Sequence, residues 1–253
     1  MISARSLVAR PILSAARSSW GSRVVGQTVK WSMALTVDIA PDASFARVER
    51  WPERLAGFED LDFLFTSTAL DYGIAQLRFD EAAYLYRTAR NARPGVVAEI
   101  GRYRGGSTML LAAAVPEGGR VVSYDTYAVP GVDGAALDEE LSKALARYGL
   151  LECVELVVAD SKAVAPPGEC EIVFVDGDHT YEGVRADYDH WKAHVAVGGH
   201  LLFHDAPDPA SATAVGCEPV GRLVREIERD DRELFRRAGQ VGSIAHFVRT
   251  GRR

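Results

Sequence analysis

The sequence lacks the features that mark several large classes of protein. Its three cysteines, Cys153, Cys170 and Cys217, form no Cys-x-x-Cys pair, and an odd number in this arrangement is typical of a reducing compartment without a disulfide framework. No apolar run approaches the roughly 20 residues that span a bilayer. The net charge of −6 does not favour a broad basic surface for nucleic acid. These absences predict a cytoplasmic protein without a nucleic-acid partner.

Two hydrolytic signatures are also missing. The chain has neither a Gly-x-Ser-x-Gly elbow nor a P-loop, so the common serine-hydrolase and P-loop nucleotide sites are not expected. The apolar fraction of 47% and the length of 253 residues are ordinary for a globular protein that buries one sizeable core.

The first 37 residues differ from the rest because five basic side chains precede the first acidic residue, Asp38. These are Arg5, Arg10, Arg17, Arg23 and Lys30. With apolar residues between them, they resemble a basic amphipathic helix that lies on an anionic membrane surface. A helical extension that packs on the domain or forms a dimer contact, and a cleaved targeting peptide, are the alternatives. We treat residues 1–37 as an extension and assign any peripheral membrane contact to residues 1–30.

From Val96 onward, short β-branched runs alternate with helical stretches. The expected parallel strands are Val96–Ile100, Arg120–Asp125, Val154–Ala159, Ile172–Asp176 and Gly199–Asp205. Apolar strands in this alternation indicate a parallel sheet covered by helices on both faces. Two further strands near Leu234–Arg237 and Ile244–Val248 suit an antiparallel end to the sheet. The fold class is therefore α/β, a doubly wound, mostly parallel seven-stranded sheet with an antiparallel C-terminal hairpin strand.

The residues before this alternation have a different character. Phe79–Ala92 has the apolar spacing of a helix, and Trp51–Tyr72 is apolar but less regular. We assign 38–93 to a helical cap or lid region and 94–253 to the catalytic domain.

A glycine-rich turn follows the first strand. Gly101 and Gly105 let the backbone approach a ligand, and the next helix begins there with free N–H groups. Asp125 ends the second strand, so its carboxylate lies beside the same crevice and suits ribose hydroxyls. Tyr103 occupies the second glycine position of a dinucleotide-binding Gly-x-Gly-x-x-Gly fingerprint, so that pattern fails.

Three acidic or basic residues converge on the same sheet edge farther along the chain. Asp176 ends the fourth strand, His179 follows it, and Asp205 ends the fifth strand. The two carboxylates suit a hard divalent cation such as Mg²⁺. A hydroxyl is a poor nucleophile, and His179 suits the role of a base because its ordinary pKa of about 6.5 is near neutrality.

Structural alternatives stay open for these residues. Asp176 is alternatively a loop cap, His179 an exposed or hydrogen-bonded loop residue, and His204 a satisfied histidine at a strand end. Asp160 after the third strand is alternatively a helix cap, and Asp178 is expected to cap the following helix.

The turn Glu99-x-Gly101-x-x-x-Gly105 resembles the first motif of class I SAM-dependent methyltransferases. The segment from Val175 to Glu182, with Gly198-Gly199-His200 and Phe203-His204-Asp205, resembles bacterial small-molecule O-methyltransferases of the macrocin and antibiotic-sugar type. This resemblance implies the Rossmann-like class I methyltransferase fold, with SAM as cofactor. The implied SAM contacts are Glu99, Gly101, Gly105, Asp125, Asp160 and Ser161.

The same resemblance implies the chemistry of the site. It makes Asp176 and Asp205 ligands of a divalent cation, Mg²⁺ or another, and it makes His179 the base. The family often has an acid or Asn as a further ligand next to the later one; here that position is held by His204, or by Ala206 if the pairing is shifted by one. The implied reaction is methylation of a hydroxyl on a sugar, secondary metabolite or glycolipid, by a homo-oligomer. The alternatives are a non-catalytic SAM-fold scaffold and an NAD(P)-type oxidoreductase.

Overall fold

A computed structural model describes residues 43–48, 50–65, 73–128, 131–208 and 216–251. The basic extension 1–37 lies outside these residues, so its membrane, packing and cleavage alternatives stay predictions. The described residues from 44 onward form one compact unit. Among the helices that are described, none is long and apolar enough to cross a membrane.

A seven-stranded sheet forms the centre of this unit. Its strands are β1 (Val96–Ile100), β2 (Arg120–Asp125), β3 (Val154–Val158), β4 (Cys170–Val175), β5 (Val195–Phe203), β6 (Phe235–Val241) and β7 (Ile244–Arg249). The spatial order is β3-β2-β1-β4-β5-β7-β6. The pairs from β3 to β5 are parallel, whereas β7 is antiparallel to both β5 and β6. The predicted fold class, including the antiparallel strand near the C-terminus, is confirmed.

Helices connect most of the strands. They are α1 (Phe79–Asn91), α2 (Gly106–Ala114), α3 (Gly134–Arg147), α4 (Tyr181–Trp191) and α5 (Glu218–Asp230), and the short 3-10 helices are Phe45–Arg47, Phe58–Leu64 and Leu151–Cys153. The connection from β3 to β4 is described throughout and contains no helix. The side-chain oxygen of Thr180 accepts from Gly183 N at 3.1 Å and caps α4. Asp178, the expected cap, instead accepts from Thr180 N at 2.9 Å.

The core lies between the sheet and its helices. The central strands are apolar along their length because both of their faces are covered, as in Val173 and Phe174, which are both fully buried. Helix α5 buries one stripe at helical spacing, formed by Val220, Leu223, Val224 and Ile227. The strands that carry the site residues are thus rigidly held.

Helix α1 belongs to the same unit as the sheet. Its Glu81 is 1% exposed and accepts hydrogen bonds from Ser243 N at 2.6 Å and Ser243 Oγ at 2.9 Å, in the turn between β6 and β7. The expected boundary at residue 94 therefore does not separate a cap from the catalytic domain in the described residues, because α1 is attached to the sheet by buried hydrogen bonds.

Candidate functional site

A cavity of about 850 Å³ opens at the carboxyl edge of the parallel strands. Ligands bind at this edge of an open α/β sheet because loops and helix N-termini converge there. Most of the predicted site residues line it, namely Gly101, Asp125, Asp160, Ser161, Asp176, His179, His204 and Asp205. Glu99 and Gly105 do not line it. The sheet therefore brings the glycine turn and the acidic cluster into one cavity.

The turn after β1 has glycine where no other residue fits. Gly101 has φ of +93°, and a Cβ there would lie 2.2 Å from the backbone oxygen of Asp176. Gly105 has φ of +79° and is the N-cap residue of α2. The first turn of α2 thus faces the cavity, where Ser107 adds a hydroxyl group that sequence reasoning missed.

Asp125 holds the glycine turn in place. Its Oδ2 accepts from Arg102 N at 2.8 Å and from Tyr103 N at 2.7 Å, and its Oδ1 accepts from Tyr127 N at 2.6 Å. Each carboxylate oxygen can accept further hydrogen bonds, so these contacts leave it able to bind a ribose. The buried guanidinium of Arg102, paired with Asp138 at 2.9 Å, supports the turn from below.

Glu99 has a position that differs from the expectation. Its side chain is fully buried, and Oε2 accepts from Thr108 Oγ1 and Ser123 Oγ, each at 2.5 Å. Burial raises the pKa of this carboxyl group, against the hydrogen bonds to its hydroxyl neighbours. Because Glu99 lies beneath the turn and outside the cavity lining, its contacts support the turn.

A polar group lines the end of the cavity near β3. No helix follows Asp160; its Oδ1 accepts from Lys162 N at 3.0 Å and closes a turn, so the helix-cap alternative is wrong. Ser161 donates to Asp187 Oδ1 at 2.7 Å. Asp187 is completely buried on α4, and its Oδ2 has no hydrogen-bond partner among the described residues. Burial raises the pKa of Asp187, although Ser161 and Lys162 oppose this. Sequence reasoning did not identify Asp187.

The acidic cluster combines four of the predicted residues. His204 Nδ1 lies 2.8 Å from Asp176 Oδ1 and 3.8 Å from Asp205 Oδ2. His179 Nε2 lies 3.3 Å from Asp205 Oδ2 and 3.5 Å from Asp176 Oδ1. Asp205 has φ of +56°, an uncommon conformation for this residue type. The fold therefore brings together the carboxylates and both imidazoles, and donor atoms of Asp176, His204 and Asp205 lie within 4.8 Å of one another.

Charge determines how these groups ionise. Burial alone would lower the pKa of His204, but the carboxylates of Asp176, Glu81 and Asp205 raise it to about 11. Burial raises the pKa of Asp176, but the imidazoles of His204 and His179 lower it by more, so the net shift is downward. The adjacent carboxylate of Asp176 raises the pKa of His179. Without a bound cation, His204 is thus an imidazolium that neutralises part of the cluster.

Glu81 is a member of this cluster that sequence reasoning missed. It reaches His204 from α1, with Oε2 at 3.4 Å from Nε2. Its pKa falls to about 2, because the hydrogen bonds from His204, Ser243 N and Arg78 N outweigh the effect of burial. The local signal for Glu81 was a capping position, since it also accepts from Arg78 N at 2.8 Å at the start of α1.

The sequence also predicts a substrate lid in the long Tyr127–Leu137 connection and an opposite wall in the Pro207–Pro219 loop, and both segments are only partly described. The connection that begins at Tyr127 is shorter than expected, because α3 begins at Gly134 and not at Leu137. Residues 129–130 and 209–215 lie outside the described residues, so the walls assigned to these loops stay predictions.

Comparison with known families identifies the central region. Residues 98–206 match a family described as a methyltransferase domain. An uncharacterized protein of Acanthamoeba polyphaga mimivirus is 25% identical over 139 residues, which cover 51% of this chain. The chain spans 59% of the length of that curated relative.

Solved structures share the fold. A methyltransferase from Geobacter sulfurreducens is 19% identical with a TM-score of 0.54, over 69% of this chain and 81% of that one. A cofactor-bound protein, Rv0187 from MTB, is 21% identical with a TM-score of 0.53, over 70% and 82%. CalS11, a TDP-rhamnose 3'-O-methyltransferase of calicheamicin biosynthesis, is 21% identical with a TM-score of 0.50, over 68% and 78%. At these identities the likeness establishes the class I methyltransferase fold.

Proposed function

We propose that this chain, whose residues 98–206 match a methyltransferase domain, transfers the methyl group of SAM to a hydroxyl oxygen of a small molecule. The observation that carries the proposal is the single cavity that joins the glycine turn and Asp125 to the cluster of Asp176, His179 and Asp205. A cofactor on the turn and a hydroxyl at the cluster would meet there, and alignment of reacting atoms is the main requirement of methyl transfer.

The cofactor end of the cavity has the groups that SAM requires. The first turn of α2 and the hydroxyl group of Ser107 suit the carboxylate of the amino-acid part. Asp125 suits the ribose hydroxyls. Asp160 and Ser161, which line the same cavity, are the proposed contacts of the adenine. When bound, SAM supplies a methyl group on a sulfonium, so that transfer forms a C–O bond, breaks the C–S bond and releases the hydroxyl proton.

His179 is the base of the proposed reaction. Its Nε2 is shielded from solvent and lies 3.3 Å from Asp205 Oδ2 and 3.5 Å from Asp176 Oδ1, but none of the described residues partners it in hydrogen-bond geometry. We propose that the acceptor hydroxyl binds at this nitrogen. The adjacent carboxylate of Asp176, followed by that of Asp205, raises the pKa of His179 and so strengthens it as a proton acceptor. Asp176 orients the ring and stabilises the imidazolium that forms.

The donors present fit a divalent cation. Asp176 and Asp205 supply carboxylate oxygens and His204 an imidazole nitrogen, all within 4.8 Å of one another. A cation held by these residues would lower the pKa of a hydroxyl group that binds to it. His204 would have to lose a proton to become a ligand, since metal ligands bind in their deprotonated form.

The acceptor is proposed at the level of its chemistry. A sugar, secondary-metabolite or glycolipid hydroxyl suits the cluster because a neutral alcohol needs a base. The solved sugar O-methyltransferase with the same fold is consistent with this choice. Membrane contact through residues 1–30, a homo-oligomeric state and cytoplasmic location remain predictions.

The first test is calorimetric titration of the full chain with S-adenosylhomocysteine, followed by transfer assays with SAM and a panel of sugar and polyketide alcohols. Asp125→Ala should weaken binding severely, because ribose recognition and the bonds that hold the turn are both lost. The control is Glu155→Ala, an exposed carboxylate of β3 that pairs with Arg120 on the surface, which should bind as the wild type does.

The base is tested in the same assays. His179→Ala should lower the rate of transfer by about 10²–10⁴-fold and leave affinity for S-adenosylhomocysteine unchanged. Failure of the wild type to bind that ligand would overturn the proposal. Binding without transfer to any acceptor would instead favour a non-catalytic scaffold.

A further inference from the structure

His204 gives the acidic cluster a nitrogen donor. Its Nδ1 faces Asp176 and Asp205, and the side chain is almost fully buried, so the ring has little freedom to leave the cluster. Magnesium favours oxygen ligands, whereas imidazole suits zinc, copper, iron and nickel. The donor set of two carboxylates and one imidazole therefore differs from an all-oxygen magnesium site.

Glu81 fixes the orientation of this donor. Its Oε2 lies 3.4 Å from His204 Nε2, on the side of the ring away from Asp176. Glu81 is itself held by Ser243 N and Arg78 N, and it is 1% exposed. A carboxylate that accepts the distal N–H of an imidazole fixes its tautomer and makes the other nitrogen a better metal ligand. With Nε2 bonded to Glu81, Nδ1 is the nitrogen presented to a cation.

Two more nitrogen or sulfur donors surround Asp205. Donor atoms of His179, Asp205 and Cys217 lie within 4.8 Å of one another. The Nε2 atom of His179 is shielded from solvent and has no hydrogen-bond partner within the part of the chain that the structure describes. Nitrogen and sulfur donors near Asp205 add to the preference for ions of borderline softness.

We propose that this cluster binds a first-row transition-metal ion in preference to Mg²⁺, through Asp176, Asp205 and His204, with Glu81 as the positioning residue for His204. The inference rests on the proposed function, for which it specifies the cation. A cation bound through Nδ1 would displace any proton that this nitrogen shares with Asp176, and that proton would pass to solvent. The expected order of affinity is Co²⁺ above Mn²⁺ above Mg²⁺.

The test is calorimetric titration of metal-free full-length protein with Mg²⁺, Mn²⁺ and Co²⁺, together with the visible absorption of bound Co²⁺. The wild type should bind Co²⁺ at least about tenfold more tightly than Mg²⁺. His204→Asp should remove most of the preference for Co²⁺ over Mg²⁺, because it replaces the nitrogen donor with an oxygen donor. Glu81→Gln should weaken Co²⁺ binding by about 10–100-fold and should affect Mg²⁺ less, since His204 contributes less to binding of that ion.

Ser243→Ala is the matched control. It removes the hydroxyl bond to Glu81 and keeps both the backbone bond and the contact with His204, so the Co²⁺ affinity should be unchanged. Thermal unfolding and titration with S-adenosylhomocysteine show whether each variant is folded.

Several results would overturn the inference. These are a wild type that binds Mg²⁺ as tightly as Co²⁺, a wild type that binds no cation, and a His204→Asp variant with an unchanged preference. If S-adenosylhomocysteine still binds in those cases, the failure concerns the metal alone. If the wild type neither binds S-adenosylhomocysteine nor transfers a methyl group, the proposed function is wrong. The cation titrations then still measure the metal preference of the cluster.

Discussion

Two buried histidine sites on the same face of the sheet have opposite charge states. His200 and His204 are four residues apart at β5, so their side chains are on one face. His204 meets Glu81 and Asp176, and its pKa rises to about 11. His200 Nδ1 instead lies 2.9 Å from Nε2 of His246, whose pKa burial lowers to about 3. His204 and His246 are 7% and 5% exposed, so the charge of the neighbours and not the degree of burial separates them.

Helix α1 supplies one partner to each of the two sites. Glu81 reaches His204, and one turn later the hydroxyl group of Tyr84 lies 2.7 Å from His246 Nδ1. The first site is a charged group at the edge where ligands bind, and the second is a neutral hydrogen-bonded chain within the sheet. The same helix therefore supports a chemical site with one residue and a structural one with another.

The largest expected effect is on stability in metal-free buffer. His204→Gln should lower the free energy of unfolding by about 3–5 kcal/mol, because it removes the positively charged imidazolium that pairs with the buried carboxylates. His246→Gln should cost about 1–3 kcal/mol, the range for an imperfectly satisfied neutral group. Urea unfolding at neutral pH measures both. Equal losses would contradict the claim that one site is charged and the other neutral.

Below neutral pH, the change of protein stability with pH should depend on His246, the neutral site. The folded-state pKa of His246, about 3, is below its ordinary value of 6.5, so its contribution is present above pH 6.5 and is lost as pH falls toward 3. Glu81 adds a loss only between pH 4.5 and about 2. His246→Phe should therefore flatten the profile between pH 6.5 and 4.5, as measured by thermal unfolding. An unchanged slope in that window would show that His246 is protonated in the folded protein.

The alkaline limb should report the charged site in the same experiment. The pKa of His204 is raised from 6.5 to about 11, so its stabilisation is complete below pH 6.5 and declines toward pH 11. The groups that face it are Glu81, Asp176, Asp205 and His179. His204→Gln should lower stability and flatten this limb, with EDTA present to exclude metal. If the stability of the His204→Gln variant fell with rising pH as steeply as that of the wild type, the decline would belong to other groups.

The smallest effect is expected from a change at Tyr84, the residue of α1 that contacts the neutral histidine site. Tyr84→Phe removes the hydroxyl bonded to His246 and should cost about 1 kcal/mol of stability. Binding of S-adenosylhomocysteine and of divalent cations should not change, because Tyr84 does not line the cavity. A change in cation affinity would show that the two histidine sites are coupled through α1.

Much of the fold was predictable because its signals are local. Apolar runs such as Ile172–Val175 and the helical spacing of Phe79–Ala92 depend on residues close in the chain. The sheet then places Asp176 and Asp205 together without further information, since neighbouring parallel strands end at one edge. The predicted cavity residues were therefore found near one another, apart from Glu99 and Gly105, which lie outside the lining.

The sequence by itself determined the sheet, the glycine turn and the edge at which the candidate catalytic groups lie. Packing between distant segments places Glu81 beside His204, across 123 positions of the chain, and buries an oxygen of Asp187 that has no hydrogen-bond partner in the described ranges. Both residues look like ordinary polar positions of amphipathic helices. The ionisation of a histidine depends on charges within a few ångströms and on loss of solvent, and these are properties of packing between distant segments that no local pattern records.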